Sequence, residues 1–546
     1  MTHIWKLTLT GAAGVGLLAG CAGEAPGQRD GTPGAEPVVV ITTAKALRDN
    51  DILKDGDTLE DNPVTRWARD RLGIVQQNKW VVTDENGALG NRVKLALSSG
   101  EPLPDVLYLS DKEIPELLPL LAASGQIMDI REAFDEYASE RVKEAYAKNP
   151  DVWKTVSYGG SVWGLPQISD GKIGDPILWI RQDWLDKLGL APPKTLAELE
   201  IVLDGFTTSD PDGNGQDDTV GIAVAGETTL NGWMGDVSFV FGAYGKQPYQ
   251  WNRMPDGSLA YGSVQPEVET ALARLAGWYT QGYLHRDFGT HDEFEAVELF
   301  AQGKAGVLSG PGWMGGWPLG ELGGTMPAGA IRPYPVPSHE NGTVGRVGTK
   351  PSYGSYFFRK GFAHMEKAFR YWDVVYGSLI EDPNSDFKHG YAEGYDYILV
   401  NGEAVYDFEG GTSTAGNLLL FSPGSTPPGV IEGPSIEQRV FAGSQSSPYE
   451  RRMAHTSSRL FLEGRIVGDL QLQASEPDQF MGPHTPAMAS KGPYLKQLEK
   501  ETFLKIVYGE AEPDAFDAFV SAWFREGGKE IAREVNAWDR ETAGAD

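Results

Sequence analysis

The chain has 546 residues, with 47 basic and 76 acidic side chains and a formal net charge of −29. That acidic excess argues against a nucleic-acid binder, which needs a basic face, and the single cysteine excludes intramolecular disulfides, cysteine-rich zinc sites and iron–sulfur clusters. With 40% hydrophobic residues and 15 Trp over a length that outgrows one core, the sequence predicts a folded body of two or more lobes.

The N-terminus opens with a short cationic stretch ending at Lys6. An apolar run of 14 residues follows, Leu7 to Gly20. That is too short for the roughly 20 residues of a membrane-spanning helix and has the length of a signal-peptide core. Residues 1–20 are therefore expected to be a lipoprotein signal peptide. The run ends in Leu18-Ala19-Gly20-Cys21, the order of a bacterial lipobox, so Cys21 is the expected lipidation site. The plainer alternative is a lone buried cysteine. Residues 21–36 are rich in Gly and Pro and read as the lipidated cysteine and a flexible tether, about 50 Å long when extended.

Pro37 to Thr43 is β-branched and reads as the first strand. Asn62 and Gly73 bracket a helix over Pro63–Leu72. Lys79–Thr83 reads as a strand, Asn91–Ser99 as a helix closed by Gly100, Asp105–Leu109 as a strand and Glu113–Ala123 as a helix. The stretch from Gly492 to Asn536 is expected to be mostly helical. Alternation of strands and helices predicts an α/β fold with largely parallel sheets.

Several motifs resemble the family 1 extracellular solute-binding lipoproteins of ABC importers, in the LipO-like branch that includes alginate-binding proteins. They are Asp61-Asn62-Pro63 with Trp67, Leu103-Pro104-Asp105-Val106, the block Trp179 to Leu190, Asp210 to Gly215, Gly303-Lys304-Ala305-Gly306 and Gly482-Pro483-His484-Thr485-Pro486. The resemblance covers nearly all of residues 40–540. It implies a two-lobed α/β periplasmic-binding-protein-like fold of the class II type, closing on a carbohydrate between the lobes. Family topology puts one lobe at residues 37–165 plus 338–378 and the other at 166–337 plus 379–546. It also implies an oligosaccharide ligand and permease subunits as membrane partners; a monomer is expected, and no catalysis, since the sequence has no Gly-x-x-x-x-Gly-Lys-Ser/Thr loop, Gly-x-Ser-x-Gly elbow or His-Glu-x-x-His helix.

Asp210, Asp212, Asn214, Gln216 and Asp218 fall at positions 1, 3, 5, 7 and 9 of a loop with Gly215 at position 6, the oxygen spacing of an EF-hand. Position 12 is Gly221 and the residue after position 9 is Thr219, where the resembling proteins carry a carboxylate; Thr219 offers only a hydroxyl or carbonyl, which weakens the site or shifts the work to Asp217 or Asp218. Structural Ca²⁺ is the expected occupant, and a self-bonded Asp/Asn turn is the alternative.

A sugar site needs flat aromatic platforms beside fixed polar groups. Aromatics in Gly-rich loops are the candidates: Trp233, Trp313 and Trp317 as platforms, with Asp236 as a hydroxyl acceptor. Trp163, Tyr353 and Tyr356 are second choices. Gly310-x-Gly312-x-x-Gly315 has dinucleotide-site spacing, but Trp313 and Trp317-Pro318 do not open a helix for a pyrophosphate. Two other functions stay open: a secreted, membrane-tethered carbohydrate-active enzyme (glycosidase or lyase), which needs only two placed carboxylates, and an oligopeptide-binding receptor.

Overall fold

The computed structural model describes residues 37–543 apart from 49–50, 55, 84–86, 325, 328, 413–414, 423 and 512–513. The signal peptide, Cys21 and the tether lie outside the described residues. None of the described helices is long and apolar enough to cross a membrane.

Local sequence sets the first elements. The helix Pro63–Leu72 starts where the Asn62 side chain accepts from the backbone N–H groups of Val64 and Thr65, with proline in its first turn. It stops at Gly73, whose φ of 63° is left-handed backbone that glycine adopts at no steric cost. The strand Val39–Leu47 pairs in parallel with Ile74–Thr83. Asp105 then ties this layer to its neighbour. Its carboxylate accepts from the Thr42 N–H at 2.9 Å and hydroxyl at 2.7 Å, and from the Arg359 guanidinium.

The sheets are mixed, a correction to the parallel expectation. Ser352–Phe358 lies between Val106–Ser110 and Gly164–Ile168 and runs antiparallel to both. In the second sheet Pro176–Arg181 lies between Ile331–Tyr334 and Ala305–Pro311, antiparallel to each; only the Ala305–Pro311 pairing with Val220–Ala223 is parallel. Ser352–Phe358 enters its sheet from the far lobe and so from the opposite direction, which a local βαβ pattern does not reveal.

Two cores form. One is built from Ile41 through Ile168 and from Tyr356 through Phe421. The other is built from Leu178 through Val336 and from Phe480 through Val535. On the central strand Pro176–Arg181, Leu178 and Ile180 face the second core, while Ile177 and Trp179 pack into a smaller cluster with Met314 and Phe300. Burial on both faces explains its unbroken apolar run.

The expected third crossover near residue 378 moves downstream. Residues 387–421 belong to the first core: the Phe421 ring lies 5.0 Å from Tyr356 and 5.5 Å from Tyr371, and the Tyr395 hydroxyl donates to Asp57 at 2.8 Å. Aromatic packing holds this segment in place, and such packing carries no helical period to read in advance.

Where the chain passes between cores, ion pairs bind the passages to each other. Arg346 and Asp175 meet at 3.2 Å with both side chains fully buried. Arg465 holds Asp170 at 2.5 Å and Glu437 at 3.3 Å, and Lys172 pairs with Asp469.

Candidate functional site

The strand Val106–Ser110 delivers Asp111 and Lys112 to the junction of the two lobes. Glu113 locks this turn: one carboxylate oxygen accepts from the Ser110 N–H and hydroxyl, the other from the Gly90 N–H. Lys112 projects from the first lobe, and its Nζ lies 5.2 Å from the centroid of the Trp233 ring, which belongs to the second.

The loop bearing Trp233 is fixed by its backbone. Trp233 N–H donates to Glu293 at 2.7 Å and Gly235 N–H to the Ser309 carbonyl at 2.8 Å. Gly235 has φ of 80°, and a Cβ there would fall 2.6 Å from the Ala225 nitrogen, so only glycine closes this loop without a shift. Trp313 sits on the short turn Gly312–Gly315, seated on the helix Arg459–Leu470 so closely that a Cβ on Gly312 would lie 2.5 Å from the Gly464 carbonyl oxygen. Its indole N–H donates to the Ile173 carbonyl at 2.6 Å.

The structure brings the three expected platforms together. Trp233 meets Trp313 edge-on at 5.8 Å, and Trp313 lies nearly parallel to Trp317 at 6.3 Å. Trp233 and Trp317 are 48% and 46% exposed, high values for tryptophan, so apolar ring area is open to a ligand.

On the first lobe, a cavity of about 650 Å³ is lined by Lys45, Tyr108, Lys112, Gln167, Tyr356 and Asn417, among others. Burial pulls the Lys45 ammonium down to about 8, and it donates to the carbonyls of Asn417 and Leu419. Tyr356 is therefore a wall residue; its hydroxyl accepts from the Ser422 N–H at 2.6 Å.

The other expected residues go elsewhere. Trp163 packs on the first core and donates to the Tyr158 carbonyl at 2.8 Å. The Tyr353 hydroxyl bonds Ser425 at 2.6 Å beside the crossover, and burial raises it to about 12. Asp236 is corrected: it is fully buried, one oxygen accepts from the Ser238 N–H and hydroxyl, and the other has no partner. Burial raises its carboxyl to about 8, so it is a neutral interior group and no hydroxyl acceptor at a surface. Lys45 and Lys112 were missed. Their signal was position, since both lie at or just past the carboxyl end of a strand, where open α/β sheets bind ligands.

The acidic loop folds around Asp210, which accepts from the N–H groups of Gly213, Asn214 and Gly215 at 3.0–3.1 Å. The Asn214 amide NH₂ donates to Asp212 at 2.8 Å and to Asp218 at 3.1 Å. Gln216 is exposed. Lys304 pairs with the other oxygen of Asp218 and holds that carboxyl below its ordinary range. Thr219 turns inward, donating to the Phe206 carbonyl at 2.8 Å. Among the described residues no three acidic, histidine or cysteine side chains converge in a metal-ready cluster. The carboxylates of Asp210, Asp212 and Asp218 are the hard oxygen ligands a calcium ion takes, and here they are met by backbone N–H groups, the Asn214 NH₂ and the Lys304 ammonium.

These features define a two-lobed α/β fold with three tryptophans gathered at the lobe junction. Residues 77–377 match the model of the bacterial extracellular solute-binding protein family, and the chain belongs to that family. It is 26% identical over 295 residues to the polygalacturonan/rhamnogalacturonan-binding protein YtcQ of Bacillus subtilis, covering 54% of each chain. It is 28% identical over 225 residues to lipoprotein LipO of the same organism, covering 41% of this chain and 42% of LipO. The chain thus spans about half the length, or less, of these curated relatives. The crystal structure of the alginate-binding protein AlgQ2 without calcium ion superposes with a TM-score of 0.60 at 18% identity, over 92% of this chain and 98% of that one, which shows the shared fold.

Proposed function

We propose that this protein is an extracellular receptor that captures an oligosaccharide between its lobes and delivers it to an ABC permease. The observation that carries this reading is the trio Trp233, Trp313 and Trp317, met at Trp233 by Lys112, which lines the first-lobe cavity together with Lys45 and Tyr356. Ring faces take the apolar C–H faces of a pyranose, and the opposing polar wall takes its hydroxyls. A ligand touching both walls stabilises the closed form over the open one. The relatives' names, polygalacturonan/rhamnogalacturonan-binding and alginate-binding, support a polysaccharide fragment as ligand.

The chain works as a monomer, is held at the outer face of the cell membrane through a lipid on Cys21, and binds no nucleic acid. Its lobes lie at 37–165 plus the crossover-returning segment to about 421 and at 166–337 plus the C-terminal helices. Asp210, Asp212, Asn214 and Asp218 would hold structural Ca²⁺, which would supply charge neutralisation to the loop between the helix Leu196–Thr208 and the strand Val220–Ala223.

The test is a thermal-shift screen over neutral and acidic oligosaccharides and peptides, with assay for new reducing ends. Stabilisation by a glycan without cleavage supports the reading. Stabilisation by peptides alone, or release of reducing ends, overturns it in favour of a peptide receptor or a glycosidase.

A further inference from the structure

Trp313 is held at both ends. Its backbone sits on the helix Arg459–Leu470, whose capping Ser458 hydroxyl donates to the Gly315 carbonyl at 2.8 Å. A Cβ on Gly464 would run into the Gly312 carbonyl, so turn and helix meet through bare backbone. At the other end of the side chain, the indole N–H bonds the Ile173 carbonyl. Ile173 belongs to the passage between the strands Gly164–Ile168 and Pro176–Arg181, which carries the chain from the first core to the second.

Helix and passage are joined to each other by two ion pairs of opposite polarity. Arg465 donates to Asp170 at 2.5 Å, and Lys172 donates to Asp469. Arg465 and Asp469 lie four residues apart and share a face of the helix. The four side chains are 9% to 14% exposed, where water screens them little. Burial works against the charge on Asp170, yet Arg465 and Lys172 hold its carboxyl below the ordinary range.

These contacts close a ring that runs from Trp313 through Gly312, Gly464, Arg465, Asp170 and Ile173 back to the indole nitrogen. The distance between helix and passage then fixes where the indole points. If the passage drifts from the helix, the side chain loses its bond or the backbone loses its seat. Glu437 offers an internal comparison. It also pairs with Arg465, at 3.3 Å, and its side chain is 10% exposed against 9% for Asp170. It stands on the helix Ile436–Phe441, outside the ring.

We propose that Asp170 and Lys172, acting through Arg465 and Asp469, are positioning residues for Trp313: they clamp the passage between the lobes to the helix that seats the ring. Because the passage joins the lobes, a change in their angle reaches Trp313 through the same clamp. The effect on ligand affinity rests on the carbohydrate reading above; the fixing of the indole does not.

Indole N–H resonances of the full chain, labelled with heavy nitrogen, report on the ring directly, and the Trp313 signal is identified by its loss in Trp313→Phe. Asp170→Asn combined with Lys172→Met should speed exchange of this N–H with solvent roughly tenfold, while Glu437→Gln leaves it at the wild-type rate. Calorimetry with xylo-, manno- and fructo-oligosaccharides should show the combined variant binding about two- to tenfold more weakly, the range for ordering one side chain, with no further loss once Trp313→Ala is present. Asp170→Asn and Lys172→Met alone each keep one pair and shift the same readouts less; they carry the test if the combined variant does not fold. Unchanged exchange in the clamp variants, equal acceleration by Glu437→Gln, or an affinity loss that persists beside Trp313→Ala overturns the proposal. If no saccharide binds the wild type, the receptor reading falls, and the exchange rates still decide the clamp.

Discussion

Replacing Asp236 by asparagine keeps the side chain's shape and removes its ability to ionise. In the folded protein burial raises this carboxyl from 3.8 to about 8; in the unfolded chain it titrates normally. Between those values the folded state holds a proton that the unfolded state has lost. Stability is therefore fully present below about pH 3.8 and falls as pH rises, by about 1.4 kcal/mol per unit, until about pH 8. At pH 7 the accumulated penalty is about 4 kcal/mol. The asparagine variant carries no such slope, though its amide still faces an unpaired environment costing about 1–3 kcal/mol. Urea unfolding of wild type and Asp236→Asn across pH 4.5 to 7.5 should show the variant gaining on wild type by about 3 kcal/mol or more over that range. Parallel stability profiles would show that Asp236 is not a buried neutral acid. A tenfold loss of glycan affinity in the same variant would return it to the ligand site.

Trp313→Ala removes the ring shared by both aromatic contacts of the trio and should weaken oligosaccharide binding at least tenfold while the far-ultraviolet dichroism stays intact; unchanged affinity by calorimetry refutes the placement. Arg346→Met strands Asp175 as a lone charge between the lobes and should cost about 3–5 kcal/mol in urea unfolding, whereas a loss under 1 kcal/mol would mean that water reaches the pair. Chelation with EGTA should lower the melting temperature, with calcium found in the purified protein by mass spectrometry; an unchanged melt and no metal remove the ion from the acidic loop.

Local signals read well where the chain punctuates itself. Asn62, Pro63 and Gly73 mark a helix whose ends coincide with the observed Pro63–Leu72, because caps act within a few residues. The gathering of Trp233, Trp313 and Trp317 was legible because glycines flank them, and those glycines allow the close approaches at Gly235 and Gly312. Features fixed by distant partners were not legible. Ser352–Phe358 takes its direction from strands some 190 to 250 residues earlier, residues 387–421 take their lobe from ring contacts, and Asp236 looked like a loop acid until its burial was seen. The run Asp105–Leu109 was recognised as a strand, but that Lys112 would cross to Trp233 depends on the second lobe's position.

That contact makes capture an exchange. One face of Trp233 has an ammonium from the opposite lobe 5.2 Å from its centroid, so on the proposed reading a sugar stacking on that face would replace a cation–π contact of about 0.5–1 kcal/mol before it gained anything. The displaced lysine is then free to bond the newcomer's oxygens. Weak or poorly shaped guests would then fail to repay that first step.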